Sequence, residues 1–481
     1  MPHFFSFLGP VAWVDRWTAS LIPKNWKSFL FLGISFGFDL FFFIFSAILF
    51  PKTGKFAKKR ELRNMRIARD IYLEKLKRGI GNGMIKIITG IRRCGKSYLL
   101  FELFREYLAS IGTEESHIIE VALDDRANAA LRDPDAMLAY VKSRITDPGR
   151  YFILLDEVQY MAEFEDVLNS LLHIRNAEIY VTGSNSRFLS TDIVTEFRGR
   201  GFEIQMHPLC FREYASAFDG SEDDAWDMFF NYGGMPALFG LASVNDKIAY
   251  VSQLFQRVYI KDILERHDIR NLDELDELLD IIASAVGSLT NPSKLTRTFG
   301  SLKNKKIDPK TLRSYLKYFE EAFLVSAARR YDIKGKKYIN SLRKYYYEDV
   351  GLRNIRLGLR QQDPGHIMEN ILYNELRVRG CSVDVGVVEL REAEGRVKQK
   401  RKQLEVDFVV NRGSERIYIQ SAFAVPHEEK RAQEVRPLER IGDSFRKIIV
   451  VHDNISARRD ESGITTIGIR KFLLDENSLE M

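Results

Sequence analysis

The segment GIRRCGKS, residues 90–97, constrains the fold of this chain more than any other part of the sequence. It follows the apolar run MIKIIT and leads into SYLLFELFREYLASI, in which apolar residues recur at helical spacing. Gly90 and Gly95 permit backbone conformations that let successive N–H groups converge on an anion at a helix N-terminus. The spacing matches the phosphate loop G-x-x-x-x-G-K-[ST], in which Lys96 would reach the β- and γ-phosphates and Ser97 would ligate magnesium.

We therefore predict that this loop binds ATP together with Mg²⁺. Its four variable positions are expected to surround the phosphates through their backbone, with Cys94 incidental to catalysis. These positions are Ile91, Arg92, Arg93 and Cys94.

A second motif, FILLDEVQ, supplies the carboxylates that a magnesium nucleotide site needs. Four apolar residues are followed by Asp156 and Glu157. Acidic residues at the end of a buried strand are costly unless they meet a cation or a water network. Asp156 is predicted to hold Mg²⁺ through water, and Glu157 to polarise the attacking water.

Two further segments carry candidate catalytic residues. YVTGSNS places Ser184 and Asn185 after the next strand, where a polar side chain can contact the γ-phosphate or orient the water; ordinary turn chemistry is the alternative. FRGRGFEI contains Arg198 and Arg200, which are candidates for stabilising transition-state charge within the chain or from a neighbouring subunit. Solvated surface arginines are an equally good interpretation of this pair.

Strand and helix patterns alternate around these motifs, which predicts an α/β fold with a parallel sheet covered on both faces. At 481 residues the chain is long enough for two or three domains. After residue 210 the pattern turns helical, with Gly233, Gly234 and Pro236 expected in an exposed turn. The predicted divisions are an extension (1–64), a phosphate-loop core (65–210), a helical segment (211–290), a basic winged-helix-like segment (291–350) and a terminal α/β domain (351–481).

Eight motifs in this order resemble a known family. The chain is similar to the bacterial and archaeal AAA+-type ATPases whose C-terminal half is a domain of unknown function related to restriction endonucleases. The resemblance implies a nucleotide-binding core with an additional strand, a winged-helix segment and an endonuclease-like terminal domain. It covers residues 66–470 and rests on ITGIRRCGKS, FILLDEVQ, VTGSNS, RGRGFEI, PLCFREYA, GGMPAL, YIKDILERHDIRN and LEVDFVV.

Positive charge is concentrated in one segment. The whole chain carries a net charge of +6, whereas residues 291–345 contain fifteen Lys or Arg against four Asp or Glu. A helix capped by Asp308 would place Lys310, Arg313 and Lys317 on one side. A following hairpin would carry Lys334, Lys336 and Lys337. This pattern favours contact with DNA phosphates; a solvated basic face or a surface for an acidic protein is the alternative.

The terminal domain contains a degenerate nuclease-like set of residues. In endonuclease-like folds an acidic residue, an Asp and a (Glu/Gln)-x-Lys pair converge on Mg²⁺, and Glu369, Asp407 and Gln420 match the first three. Ala422 stands where the lysine belongs, which favours a vestigial scaffold or a DNA-end binding platform over an active nuclease. We expect Glu405 to point to the strand face opposite Asp407.

Residues 29–50 are almost wholly apolar and long enough to cross a bilayer. Six basic residues and one acidic residue follow in 51–63, so a helix here would tether a cytoplasmic protein to the inner face of the cell membrane. Asp39 near the centre argues against insertion, and a soluble chain that starts at Met65 is the alternative. The three scattered cysteines indicate a reducing compartment.

Three functions fit these observations. The leading hypothesis is an ATP-hydrolysing switch, acting alone or as a homo-oligomer on DNA or on a DNA-bound partner. The second is a metal-dependent nuclease regulated by the ATPase. The third is a membrane-tethered signalling ATPase without nucleic acid.

Overall fold

The computed structural model describes most of the chain after residue 65. Residues 65–481 form one compact unit, and the domain divisions inside it stay predictions. The segment 29–50 lies outside the described residues. The described ranges are 66–183, 197, 199–241, 243–267, 269, 271–303, 307–360, 363–394, 398–424 and 428–481.

The first sheet has five parallel strands in the order β2-β3-β4-β1-β5. β4 lies between β1 and β3, so the chain forms the P-loop core with an additional strand that the resemblance implied. The prediction of an α/β fold is confirmed. The strands are β1 (Ile85–Thr89), β2 (Ile118–Ala122), β3 (Tyr151–Asp156), β4 (Ala177–Thr182) and β5 (Gly201–Gln205).

Helices cover both faces of this sheet because its strands are apolar on both sides. In β3, Phe152 and Leu154 belong to the core with α1 and α2, whereas Ile153 and Leu155 face α3 and α4. The helix α2 begins at the phosphate loop and includes a π-helical section, Leu99–Phe104. The helices are α1 (Asp70–Arg78), α2 (Lys96–Tyr98, Leu99–Phe104 and Arg105–Ser110), α3 (Pro134–Arg144) and α4 (Phe164–Leu171).

The middle of the chain is helical and ends in a hairpin, as the sequence predicts. Its hairpin strands are β6 (Val325–Asp332) and β7 (Lys337–Tyr347), which pair in antiparallel fashion. The helices are α5 (Phe211–Ala217), α6 (Glu222–Tyr232), α7 (Val244–Leu254, Phe255–Ile260 and Lys261–Arg266), α8 (Leu272–Ser284), α9 (Pro292–Lys303), α10 (Pro309–Glu321) and α11 (Val350–Arg356).

The prediction of an exposed turn at Gly233 and Gly234 is wrong, because both residues are buried. The Gly234 N–H donates to Asp349 Oδ2 at 2.6 Å, and Asp349 also caps α11. A Cβ atom at Gly233, where φ is +77°, would lie 2.0 Å from Asp349 Oδ1. Glycine is required here because the carboxylate fills the space that a side chain would need.

The second sheet is mixed and has eight strands in the order β12-β13-β11-β10-β9-β8-β6-β7. The basic hairpin β6–β7 thus joins the terminal strands in one sheet, and the helix α12 packs against it through Ile367, Ile371 and Leu372. The remaining elements are α12 (Pro364–Val378), β8 (Ser382–Glu394), β9 (Lys398–Arg412), β10 (Glu415–Ala422), α13 (Glu428–Glu439), β11 (Arg446–Val451), β12 (Arg458–Arg459), β13 (Ile464–Gly468) and α14 (Ile469–Leu474).

Within the described ranges, no helix combines the length and apolarity needed to cross a bilayer.

Candidate functional site

The phosphate loop connects β1 to α2 through strained backbone positions. Gly90, Arg93 and Gly95 have φ angles of +139°, +71° and +104°. At Gly90 a Cβ atom would lie 2.0 Å from the Met206 carbonyl oxygen, so only glycine fits beside the end of β5. The loop therefore has the tight, glycine-dependent turn that a phosphate cradle requires.

Lys96 points into this loop. Its Nζ donates to the carbonyl oxygens of Gly90 at 3.1 Å and Ile91 at 3.3 Å, and the residue is 4% exposed. These carbonyls satisfy the ammonium inside the loop, within reach of the position where an anion would lie. The predicted role of Lys96 in binding the β- and γ-phosphates stays a prediction.

The structure brings Ser97 and Asp156 together across 59 residues of sequence. The Ser97 hydroxyl donates to Asp156 Oδ2 at 2.7 Å. Burial raises the pKa of Asp156 above its usual range, although hydrogen bonds from Thr182 and Ser97 oppose that shift. A hydroxyl and a desolvated carboxylate are the oxygen donors that Mg²⁺ prefers, so these residues fit the ion.

Thr182 organises the acidic pair from the neighbouring strand. Its hydroxyl donates to Asp156 Oδ1 and accepts from the Glu157 backbone N–H at 2.9 Å. Glu157 has a φ of +53°, a left-handed conformation that costs free energy in a non-glycine residue. Sequence reasoning missed Thr182, although the quoted motif VTGSNS contains it.

Glu157 lines the same cavity as the phosphate loop. The cavity has a volume of about 280 Å³, and both cationic and acidic side chains line it. Asp124, which follows β2, also lines it and was missed because no motif marked it. The lining residues are Arg92, Arg93, Gly95, Lys96, Ser97, Tyr98, Asp124, Glu157 and Tyr160.

Other predicted site residues lie elsewhere. Ile91 and Cys94 are fully buried, and Cys94 Sγ contacts the Met206 carbonyl oxygen at 3.7 Å, so both contribute to the core under the loop. Arg200 is exposed and does not line the cavity. Asn185 and Arg198 lie outside the described residues, as does Ser184.

Two contacts join the phosphate loop to the long helix α7. The Arg92 Nε lies 2.8 Å from Asp262 Oδ2, and the Tyr259 hydroxyl donates to the Arg92 carbonyl oxygen at 3.2 Å. Both α7 residues fall in the motif YIKDILERHDIRN, which carried part of the resemblance but no predicted role. The helical segment therefore touches the nucleotide loop directly.

The basic segment presents its cations on exposed surfaces. Lys310, Arg313 and Lys317 of α10 are exposed, and so are the hairpin lysines Lys334, Lys336 and Lys337. Asp308 caps α10 by accepting from the Lys310 N–H at 2.8 Å, as predicted.

A cavity of about 480 Å³ opens between α10, β7 and the start of α9. Arg313, Lys317 and Arg343 line it from two elements, with Glu320 as the acidic side chain among them. The N-terminal end of α9, which begins at Pro292, also faces it and adds a partial positive charge. This arrangement favours an anionic ligand.

Three terminal-domain residues singled out by the resemblance, Glu369, Asp407 and Gln420, lie close together. Lys344 Nζ lies 2.8 Å from Glu369 Oε1 and 3.4 Å from Asp407 Oδ1. Gln420 is adjacent, since its Oε1 accepts from the Asp407 N–H at 3.4 Å. The nuclease-like role of these three residues stays a prediction. Sequence reasoning missed the lysine beside them, which comes from β7 and not from the position of Ala422.

The prediction for Glu405 is wrong. Its Oε1 lies 2.7 Å from Lys344 Nζ, so Glu405 and Asp407 share one face of β9. The physical reason is the two-residue period of a strand, which puts residues 405 and 407 on the same side.

Comparisons with known proteins agree with this fold. The AAA domain family matches residues 82–215, and a domain of unknown function (DUF8612) matches residues 223–363. An uncharacterized protein of Haemophilus influenzae is 30% identical over 414 residues, which cover 85% of this chain and 98% of that protein. The uncharacterized protein MJ1544 of Methanocaldococcus jannaschii is 27% identical over 74% of this chain and 78% of its own length.

Two solved structures match part of this chain at low sequence identity. The Walker-type ATPase PABY2304 of Pyrococcus abyssi matches 61% of this chain and 97% of its own, with 15% identity and a TM-score of 0.44. The Aeropyrum pernix ORC1 protein, solved in complex with DNA, matches 62% of this chain and 93% of its own, with 10% identity and a TM-score of 0.27.

Proposed function

This chain belongs to the same family as the Haemophilus influenzae protein and contains an AAA domain, and we propose from this premise that it is an ATP-hydrolysing switch acting on DNA or on a DNA-bound partner. The observation that carries the proposal is the 2.7 Å hydrogen bond between Ser97 and Asp156 beside the phosphate loop. It joins the two oxygen donors that a magnesium nucleotide requires, although Ser97 lies at the start of helix α2 and Asp156 at the end of strand β3.

The residues of the cavity suit hydrolysis of a terminal phosphate. When bound, Mg²⁺ would neutralise phosphate charge, and Ser97 and Asp156 would hold it. The ammonium of Lys96 would exchange its two loop carbonyls for phosphate oxygens. Glu157 would accept a proton from a water molecule as the water oxygen bonds to the terminal phosphorus and the bond to the leaving oxygen of ADP breaks.

Arg198 and Arg200 are proposed to stabilise the charge that develops in this step. Arg200 is exposed, which suits action on the site of a neighbouring copy in a homo-oligomer. Asn185 is proposed to orient the water from the segment after β4.

The contacts between Arg92 and α7 support the switch. A nucleotide in the cavity would lie beside Arg92. A shift of the Arg92 side chain would act on Asp262, and a shift of its backbone carbonyl would act on Tyr259. Because α7 packs in the same core as α8 and α10, displacement of α7 would be transmitted to the basic surface. We propose that ATP binding changes the position of this surface.

The proposed DNA surface consists of the α10 cations, the hairpin lysines and the cavity lined by Arg313, Lys317 and Arg343. Phosphate contacts require exposed cations at several points along a surface, and these residues provide them from a helix and a hairpin. The arrangement of α9, α10 and the β6–β7 hairpin supports a winged-helix-like module. The terminal domain is proposed to be an endonuclease-like scaffold.

Mutation of the nucleotide site tests the enzymatic part of the proposal. Lys96→Ala should abolish ATP binding, and Glu157→Gln should bind ATP but release phosphate at least about a hundredfold more slowly. Lys142→Ala, on the exposed face of α3, is the control. Wild-type turnover in either site variant would refute the assignment.

Charge reversal on α10 tests the DNA part. The double variant Arg313→Glu, Lys317→Glu should weaken duplex binding about tenfold or more and reduce its salt dependence. The control is the double variant Lys142→Glu, Arg144→Glu, which makes the same change of charge at exposed positions of α3. This control should bind duplex DNA as tightly as the wild type does. Two results together would favour a membrane-tethered ATPase without nucleic acid. Duplex DNA would fail to stimulate ATP turnover, and the two double variants would bind DNA with equal affinity.

A further inference from the structure

The terminal domain contains a cluster of one lysine and three carboxylates, which we call the lysine–carboxylate cluster. It consists of Lys344 on β7, Glu369 on α12, and Glu405 and Asp407 on β9. The three contacts from Lys344 Nζ measure 2.7 Å to Glu405, 2.8 Å to Glu369 and 3.4 Å to Asp407. The cluster shares no residue with the nucleotide site.

Lys344 donates hydrogen bonds to Glu369 and Asp407 and forms an ion pair with Glu405. An ammonium group has three N–H donors, and three carboxylates surround it. The side chain is 3% exposed, so water does not compete for these donors. Burial alone would lower the pKa of Lys344, but the charges of Glu369, Asp407 and Glu405 raise it above its usual value. The lysine is therefore a permanent internal cation.

The carboxylates are also committed to other donors. The Tyr346 hydroxyl donates to Glu369 Oε1 at 2.6 Å, and the Ser421 N–H donates to Asp407 Oδ2 at 2.8 Å. Gln420 turns its amide nitrogen towards Glu434 Oε2 at 3.0 Å. These bonds fix the oxygens around the ammonium and direct the Gln420 amide nitrogen away from it.

A divalent metal does not fit this arrangement. In endonuclease-like centres the matching acidic residues hold Mg²⁺, and a separate lysine stabilises charge at the reacting phosphate. Here the ammonium itself lies between the carboxylates, at the position a metal would need. Within the described ranges, no group of three or more His, Cys, Asp or Glu side chains is arranged to hold a metal ion.

We propose that Lys344 takes the place of the divalent metal, so that the nuclease-like centre is a metal-independent structural site and the terminal domain does not cleave phosphodiesters. The absence of a lysine at position 422 and the presence of one on β7 are then two parts of one change. The ammonium offsets one negative charge among the three carboxylates, and it ties β7 to α12 and β9.

Metal rescue tests this proposal in the full chain without nucleotide. All proteins carry Asp156→Asn, so that the phosphate-loop site does not contribute to binding. Mn²⁺ is the probe, with binding measured by electron paramagnetic resonance and stability by melting temperature. In this background the variants are Lys344→Met, Asp407→Asn and the double change. The reference protein retains both Lys344 and Asp407.

With Lys344 present, we expect Mn²⁺ binding to be the same whether residue 407 is Asp or Asn. Lys344→Met should gain one Mn²⁺ per chain and a rise in melting temperature at millimolar Mn²⁺, and the added Asp407→Asn change should remove both. Binding by the Lys344 protein that requires Asp407, or cutting of plasmid DNA that requires Asp407, would overturn the proposal. If Lys344→Met does not fold, the comparison of the reference protein with Asp407→Asn still tests the proposal, because both of those proteins retain Lys344.

Discussion

Arg69 provides a sensitive test of how the phosphate loop is supported. Its guanidinium is 2% exposed and donates to the carbonyl oxygens of Cys94, at 3.4 Å, and His207. Its Nε lies 3.2 Å from Glu213 Oε1, outside hydrogen-bond geometry, so this pair interacts by charge. The Glu213 carboxylate, which is 7% exposed, also accepts from the Cys210 N–H at 3.0 Å.

Replacing Arg69 with Met would leave Glu213 buried without its counter-charge and two carbonyl groups without a donor. Removing one partner of a buried ion pair costs about 3–5 kcal/mol, so we expect the free energy of unfolding to fall by about that amount. Because the Cys94 carbonyl belongs to the phosphate loop, loss of its hydrogen bond should weaken ATP binding up to about tenfold, or ~1.4 kcal/mol.

A double-mutant cycle with Glu213→Gln isolates the charge interaction. The double variant should be destabilised by about 2 kcal/mol less than the sum of the single variants, since neither charge is then left alone. Urea denaturation followed by the fluorescence of Trp226 reports on this region, because its ring centroid lies 5.1 Å from that of Phe211 on the same helix as Glu213. A coupling energy below about 0.5 kcal/mol would refute the reasoning.

Arg66→Met is the matched control. Arg66 pairs with Glu106 at 2.8 Å, but the two side chains are 68% and 54% exposed. Exposed pairs contribute about 0–1 kcal/mol, so this change should barely alter stability or ATP binding. An equal loss in both arginine variants would show that burial does not determine the cost.

Three further predictions concern the loop, its contact with α7 and a buried carboxyl. Ser97→Ala should raise the Mg²⁺ concentration needed for half-maximal phosphate release about tenfold or more, because one ligand oxygen is lost, and an unchanged Mg²⁺ dependence would contradict this role. Asp262→Asn removes the charge partner of Arg92, a partly buried contact, and should weaken ATP binding about twofold to fivefold in a calorimetric titration; tighter binding would contradict the support we assign to it. Burial raises the pKa of Asp349 from 3.8 to about 6, so the folded state binds the Asp349 proton more tightly than the unfolded chain does. The stability that this group contributes is therefore lost as the pH rises towards and through 6. This loss amounts to about 3 kcal/mol between pH 4 and 7. Asp349→Asn should flatten the pH profile of urea denaturation by that amount. Parallel profiles for the wild type and the variant would exclude this role of Asp349.

The nucleotide site could be predicted because its information is local. Gly90, Gly95 and Lys96 lie within one turn, and Asp156 ends an apolar run. Parallel strands place their carboxyl ends at one edge of a sheet, so motifs at strand ends meet whatever their separation in sequence. Thr182 follows the same rule, but a threonine at the end of a strand is common and carries no distinctive signal of its own.

The lysine–carboxylate cluster shows what local patterns do not contain. Glu369 and Asp407 could be identified by resemblance, but Lys344 belongs to a basic hairpin whose obvious role is on the surface. It meets the carboxylates because β6–β7 joins the terminal sheet, with β6 pairing in parallel with β8. No periodicity within residues 337–347 indicates that partner.

The sequence by itself determined the P-loop core and the meeting of the phosphate loop with Asp156, because these depend on short spacings and on the two-residue and 3.6-residue periods. Tertiary structure alone decided that Lys344 lies among the carboxylates of Glu369, Glu405 and Asp407, that Arg92 contacts α7 and that Gly233 and Gly234 are buried against Asp349. Each of these contacts joins residues from different elements, and burial of the helices and strands, not the local pattern of residues, brings them together.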